Sequence, residues 1–480
     1  MDAGSLWGTC EWAGELPLPR VPDEVRSLAL AQLTSAAAAV RGTVRHSIGR
    51  RLADPASGWA ARGARAARMS IALDYDETAF AGHLGHSCAL PVLVCAAEAG
   101  VSGERALVAM VAASEVAARL TASVTLGSSR GQTAAHTHAV GAVVGFGLVL
   151  GLSARQLETA LSLVLAQPRR VLLPAFMGSD AKFEVAAAPI LDAARAVQQA
   201  ADGAKGLPSV LAAPGGVFDE LASVPLPEAF SGYGTRWHLN TLSIKAVPGC
   251  AYLTSAVEAA ASLGPLDLGE VDAVTAGVSI FTLGMEAESA PFLAGPGTPV
   301  PALGFTTGYN LAAALESGGL TVDDLHGERL AREGRWRVAG MVTLEHDEEL
   351  TARALAATAP VGAAIAWAGD RARPYLTARG ASDEMAEKVI EMARATSDEN
   401  FTAPSKRIGA RLTVRLKGGR TLTAERDAAR GCCQEAVAAR VALAEEKLAA
   451  QLGDTPDVGL GRLAAMTPAE LRSLVAALQL

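Results

Sequence analysis

The chain has 480 residues, half of them hydrophobic and 19% charged, with a formal net charge of −8. That is enough apolar material for a large buried core, and the length corresponds to roughly two to four domains. No basic stretch stands out, so neither nucleic acid nor an anionic membrane surface is expected as a partner.

Residues 1–20 have no basic start and no apolar core, so they do not form a signal peptide. The most apolar run, 139–152, is shorter than the roughly 20 residues needed to cross a bilayer. It carries Gly141, Gly145 and Gly147 and fits a buried helix, and the protein is expected to be soluble and cytoplasmic. Aromatics make up only 4% of the chain, and alanine runs recur, which favours helices packed at short range.

Apolar residues at helical spacing predict helices over 21–41, 89–100, 103–121, 139–151, 153–166 and 182–204. Ser102 and Ser153 stand as N-caps for two of them. No alternating strand pattern occurs between 21 and 263. The character then changes. Residues 271–283 and 336–346 alternate as strands do, 305–317 is helical, and 407–425 is a hairpin turning at Gly418 and Gly419. Helix returns over 434–452 and 467–480, the latter opened by a Thr467–Glu470 capping box with Pro468 at the first helical position.

The expected fold is mainly α with an α+β part: a helical domain over 1–264, an inserted α+β domain over 265–428, and a return to the helical domain over 429–480. The cleft between two such bodies is a natural ligand site. The six cysteines show no CxxC pair, so neither structural zinc nor an iron–sulfur cluster is signalled.

Four stretches hold the chemistry-bearing residues. In DYDETAFAGHLGHS (74–87), Asp74, Asp76 and Glu77 precede two of the chain's eight histidines, His83 and His86. Gly82 and Gly85 argue for a loop, and the HxxH spacing is too sparse by itself for a metal site. Asp76 and Glu77 are expected only to cap and solvate the turn. In GQTAAHTHAVGAVVGFG, His136 and His138 open an apolar helix, where oriented N–H groups attract an anion. In PAFMGSDAKFEVAAAPI, Lys182 lies at a helix start, a position unfavourable for a lysine and therefore suggestive of carboxylate binding. In SIKAVPGCAYLTSAV, Lys245 and Cys250 flank Pro248-Gly249. Cys250 is expected to be a small buried thiol rather than a nucleophile.

Together these stretches resemble the MmgE/PrpD family, which includes 2-methylcitrate dehydratase, cis-aconitate decarboxylase and iminodisuccinate epimerase. The carrying segments are DYDETAFAGHLGHS, THAVGAVVGFGLVLGLS, QPRRVLLPAFMGSDAKFEVAAAP and GYGTRWHLNTLSIKAVPGCAY, with FTTGYNLAAALESGGL as a fifth. The resemblance implies a large all-α domain built from both chain ends, an inserted α+β lid, a homodimer, and a site with no cofactor and no metal. It also implies a small di- or tricarboxylate substrate.

Carried over residue by residue, the resemblance makes Asp74, His83, His86, His138, Lys182 and Tyr309 catalytic. Lys245, Cys250 and His136 contact the substrate. Tyr309 would close over it from the lid. Two departures stand out. Val185 occupies the place of a histidine that many members carry after the lysine, and Pro248-Gly249-Cys250 replaces the Pro-Ala-His of decarboxylase-like members. The leading expectation is a dehydratase acting on a β-hydroxy acid, as in a tailoring step of biosynthesis. An epimerase or decarboxylase using the same carbanion chemistry is the alternative, and a non-catalytic binding protein on the same fold is the alternative of another class.

Overall fold

The computed structural model describes residues 6–53, 56–127, 134–453 and 458–480. Residues 1–5 of the N-terminal stretch and 131–133 of the His136/His138 stretch lie outside them. The chain is 63% helical with 7% strand, so it is mainly α with an α+β part.

The largest apolar cluster is built from helices Asp23–Arg45, Trp59–Ile71, Leu90–Ala99, Gly103–Ser123, Ala134–Leu150 and Ala181–Ala201, joined by Val437–Leu452 and Pro468–Ala477 from the other end of the chain. Small residues set its spacing. A Cβ on Gly145 would stand 2.2 Å from Val92, and one on Gly141 2.4 Å from Cys88 Sγ. Both glycines therefore let Ala134–Leu150 approach its neighbours more closely than any side chain allows.

Helix Gly103–Ser123 is capped by Ser102, whose Oγ accepts the Arg105 N–H. By itself it is the one described helix long and apolar enough to cross a membrane, and 94% of its apolar window is buried inside the structure. Glu115 and Arg119 lie fully buried along it, and both are spent on backbone groups of the 229–239 loop. It is thus a core helix pinned by polar contacts.

A second cluster surrounds a four-stranded sheet in the order β4-β3-β5-β6. β3 (Val271–Val278) runs parallel to β4 (Val342–His346) and antiparallel to β5 (Ala410–Leu416), which pairs antiparallel with β6 (Thr421–Arg426). Alternate residues of β5, from Ala410 to Leu416, are buried, while Thr413 and Arg415 between them face solvent. One face of the sheet is therefore covered, by helices Thr254–Leu263 and Thr307–Ser317.

A third cluster joins helices Glu348–Ala356, Ala363–Ala368 and Asp383–Ala395 to Phe80, Ala122, Leu126 and Leu226. These helices lie between the second alternating stretch and the hairpin.

Several boundaries differ from the sequence expectations. The strand expected over 271–283 ends at Val278, because Ser279 starts helix Ile280–Ser289. Trp336 to Ala339 belong to helix Glu333–Ala339, whose apolar positions at short range imitate an alternating pattern. Two short strands, β1 (Glu77–Thr78) and β2 (Ser243–Ile244), lie in the region where none was expected. Two residues are too few to show a period.

Gly141→Ala is expected to lower unfolding free energy by about 1–3 kcal/mol in urea titration. Gly14→Ala, where an added Cβ meets nothing within 4 Å, is expected to be neutral or slightly stabilising.

Candidate functional site

The site begins where helix Trp59–Ile71 ends. The Asp74 N–H donates to Ile71 O at 3.2 Å, and Asp74 adopts a φ of 46°, a left-handed conformation that a short acidic side chain tolerates better than most. β1 then pairs antiparallel with β2, Glu77 opposite Ile244 and Thr78 opposite Ser243. That register fixes the next pair out: Asp76, just before β1, stands opposite Lys245, just after β2. Two segments 169 residues apart are thereby brought to one place by two strand pairs.

Asp76 is fully buried. Its Oδ1 accepts from Lys245 Nζ at 3.1 Å. Its Oδ2 lies 2.6 Å from His83 Nδ1 and 3.1 Å from His86 Nε2. Burial pushes the Asp76 carboxyl up, but its partners His83, which also hydrogen-bonds it, Lys245 and His86 outweigh it and hold the group well below the usual carboxylate range. An ionised Asp76 accepts a hydrogen bond from the Nδ1–H of His83, which leaves Nε2 as the ring's open position. The expectation that Asp76 and Glu77 only solvate a turn is therefore wrong. Both are fully buried, and Asp76 is the hub of the cluster.

His86 lies in the short helical turn Gly85–Cys88 rather than in a loop. Its Nδ1 is 2.6 Å from Ser70 Oγ. Its Nε2 faces Asp76 at 3.1 Å but is not aligned for a hydrogen bond. Burial lowers its basicity, so it is a neutral ring that packs parallel to His83, centroids 5.9 Å apart. His138, on Ala134–Leu150, is edge-on to His86 at 5.4 Å. Its Nδ1 is 3.3 Å from Ser87 Oγ, and its Nε2 is buried with no partner. Burial and then the neighbouring histidines hold its pKa well below 6.5.

Lys182 is the second residue of helix Ala181–Ala201. Its Nζ donates to Asp74 Oδ2 and lies over the rings of Phe176 and Phe305, at 5.3 and 4.8 Å. The unfavourable helix-start position is offset by this ion pair and by the two aromatic faces.

These groups border a cavity of about 190 Å³, below the roughly 300–1,000 Å³ of drug-sized sites and so suited to a small ligand. Asp74, Thr78, His83, Thr137, His138 and Lys406 are among its polar lining, and Phe80, Phe176, Met285 and Phe305 among its apolar lining. The apolar lining draws on the first and third clusters, so the cavity lies where they meet.

Of the residues expected from the sequence, Asp74, His83, His138 and Cys250 line the cavity. His86 and Lys182 stand one contact behind it, against His83, His138 and Asp74, and Lys245 lies further back, on Asp76 and the Gly249 carbonyl. Burial pushes the Cys250 thiol up to about 12, so it is a neutral wall group. His136 is buried, with its pKa lowered to about 4 by desolvation and by Arg170, and does not line the cavity. Tyr309 is not brought to this cluster. It is buried beside the sheet, its hydroxyl donating to Asp324 O at 2.5 Å. The neighbouring Asn310 instead lies near the turn at Gly249.

Two residues escaped the sequence reading altogether, beside the missed burial of Asp76 and Glu77. Lys406 lines the cavity, and Lys447 lies buried in the field of Glu77. Lys447 reaches in from helix Val437–Leu452, donating to Ser35 Oγ at 2.8 Å and to Tyr75 O. The Glu77 carboxylate accepts the Gly85 N–H at 2.6 Å, and a Cβ at Gly85 would lie 2.3 Å from that oxygen. That close approach was the one legible signal, as Gly85 sits eight residues after Glu77.

Asp76, His83 and His86 also offer a carboxylate oxygen and two ring nitrogens within 4.8 Å of one another, a donor set that zinc or iron accepts. The ammonium of Lys245 on the same carboxylate opposes a divalent ion there, and His83 would have to release its hydrogen bond. The residues present therefore fit a proton-transfer cluster better than a metal centre.

Glu77 is pushed up to about 8 by burial and then by Asp76, against an ordinary value of 4.5. Its contribution to stability is complete below pH 4.5 and is lost as pH rises through about 8. Lys447, lowered to about 7 from 10.5, acts in the opposite sense, and only above about pH 7. Five buried histidines with lowered basicity, His46, His86, His136, His138 and His238, also act in the opposite sense below about pH 6.5, so the Glu77 contribution is read as a difference. Glu77→Gln is expected to make melting temperature rise more steeply, or fall less, between pH 5 and 7 than in wild type, and a wild-type slope in the variant would contradict the assignment. Asp76→Asn is expected to cost about 3–5 kcal/mol in urea unfolding, because it strands the buried ammonium of Lys245.

No protein-family model matches the chain, and no curated protein matches it significantly.

Proposed function

We propose that the chain is a lyase that eliminates water from a small β-hydroxy di- or tricarboxylate, as its resemblance to the MmgE/PrpD family implies. With no matching family model, the reading rests on the five resembling stretches and on the site's geometry. The observation that carries it is the buried Asp76–His83 hydrogen bond of 2.6 Å at the wall of a small cavity. His138, with its unpartnered Nε2, is on the same wall.

The proton α to a carboxylate is weakly acidic, so its removal needs a positioned base and nearby cations. His83 takes this proton at Nε2, and the ionised Asp76 behind it stabilises the imidazolium that forms. The neutral ring of His138 hydrogen-bonds the departing hydroxyl through Nε2–H, and the proton that completes the water comes back from the His83 imidazolium, which restores both rings. Lys182 and Lys245 set the positive potential behind Asp74 and Asp76. No cofactor enters this chemistry.

In the same reading, the helical clusters from both chain ends form the body and the α+β insertion is a lid over it. The active protein is a homodimer in the cytoplasm. Both parts supply cavity residues, His83 and His138 from the helical body and Met285 and Lys406 from the insertion, which supports a site that opens when they part.

The test is incubation of hydroxy di- and tricarboxylic acids with the protein in D₂O, followed by NMR and mass spectrometry. Loss of 18 mass units marks dehydration, loss of 44 decarboxylation, and deuterium at the α carbon without mass loss epimerisation. His83→Asn is expected to cut both turnover and deuterium incorporation by about 100-fold or more. His138→Asn is expected to cut elimination while leaving incorporation largely intact. Equal loss of both signals in both variants would contradict the division of roles.

A further inference from the structure

Four lysines are buried among the described residues: Lys182, Lys245, Lys406 and Lys447. Two of them hold an ion pair, Lys182 with Asp74 and Lys245 with Asp76. Lys447 lies in the field of Glu77, away from the cavity lining, and donates to Ser35 Oγ and the Tyr75 carbonyl. Lys406 has no carboxylate in ion-pair range among the described residues. Its Nζ donates to Thr78 Oγ1 at 2.9 Å, and both residues line the cavity.

The nearest groups able to carry negative charge are the thiols of Cys432, Cys433 and Cys250. Burial raises these to about 12, 11 and 12, so they stay protonated. A buried ammonium held by one neutral hydroxyl is costly. Desolvation, and then the repulsion of Lys245, accordingly depress its basicity.

The residue is nonetheless firmly placed. Its N–H donates to Gln434 Oε1 at 3.0 Å, and Gln434 Nε2 donates back to its carbonyl at 3.1 Å. One side-chain amide thus clamps the Lys406 backbone from both sides. The other two cavity-side lysines cannot serve a ligand equally well, because each is already neutralised by its aspartate.

We propose that Lys406 is the anion anchor of the cavity, with Thr78, and binds one carboxylate of a small acid. This rests on the carboxylate-lyase reading of the same cavity. The ligand completes an ion pair that the protein leaves open, and its second polar end then lies toward His83 and His138. The anchor also fixes what the cavity selects: a dicarboxylate over its diamide, which offers Lys406 no anion.

The test uses the full chain and calorimetric titration with citrate, malate, succinate, succinamide and inorganic phosphate. Wild type is expected to bind a dicarboxylate more tightly than succinamide. Lys406→Met is expected to weaken that binding by about 10–100-fold and to erase the preference, while Lys406→Arg keeps most of both. Because Lys406 has no anionic partner, Lys406→Met is expected to melt no lower than wild type, in contrast to Lys245→Met, which breaks a pair.

Unchanged dicarboxylate binding in Lys406→Met overturns the anchor, as does a wild type that binds none of the acids or prefers phosphate. Turnover on the same acids separates the two claims. Binding that depends on Lys406 without turnover keeps the anchor and removes the lyase reading. Turnover with an unchanged KM in Lys406→Met does the reverse.

Discussion

The carboxylate of Asp76 is the constraint around which the site is organised. A fully buried aspartate without partners would take up a proton rather than remain charged. Here one oxygen faces an ammonium and the other two imidazoles, so the charge is kept. Each partner comes from a different element: Lys245 follows β2, His83 precedes a helical turn, and His86 lies within it. Holding one anion therefore folds the 74–87 stretch back on itself and ties it to the segment after β2.

The surrounding fold supplies what that anion needs. The antiparallel pairing of Glu77–Thr78 with Ser243–Ile244 sets Asp76 against Lys245. Glycines at 85 and 141 let the histidine turn sit against Glu77 on one side and against helix Ala134–Leu150 on the other. The returning C-terminal helix places Lys447 behind Glu77 and Arg440 on the carbonyls of Asn240 and Leu242, on the approach to β2. The two ends of the chain thus converge on the same fourteen-residue stretch that holds three acids and two histidines.

Much of this was legible in the sequence. Helical periodicity located the main helices, and the N-cap at Ser153 and the capping box at Thr467 are present as expected. The hairpin turns at Gly418 and Gly419, both at positive φ. The Asp74, His83, His138 and Cys250 positions reach one cavity because the motifs that contain them carry chemistry-bearing types at helix starts and turns. What failed did so for physical reasons. Asp76 and Glu77 looked like solvated turn acids, because burial of a charge depends on partners 169 and more residues away. Lys406 sits in a stretch with no periodicity and is defined only by what surrounds it. Tyr309 lies on a helix that faces the sheet core rather than the cavity, and no spacing in its own segment reveals which way that helix turns.

The account stands on His83 holding its proton at Nδ1 against an ionised Asp76, with Nε2 open to the cavity. Long-range proton–nitrogen NMR on protein labelled with ¹⁵N-histidine tests this directly at neutral pH. One ring is expected to show a protonated Nδ1 and an unprotonated Nε2, and that pattern should disappear in both His83→Asn and Asp76→Asn. A His83 ring protonated only at Nε2, or one unaffected by loss of the Asp76 carboxylate, would contradict the account.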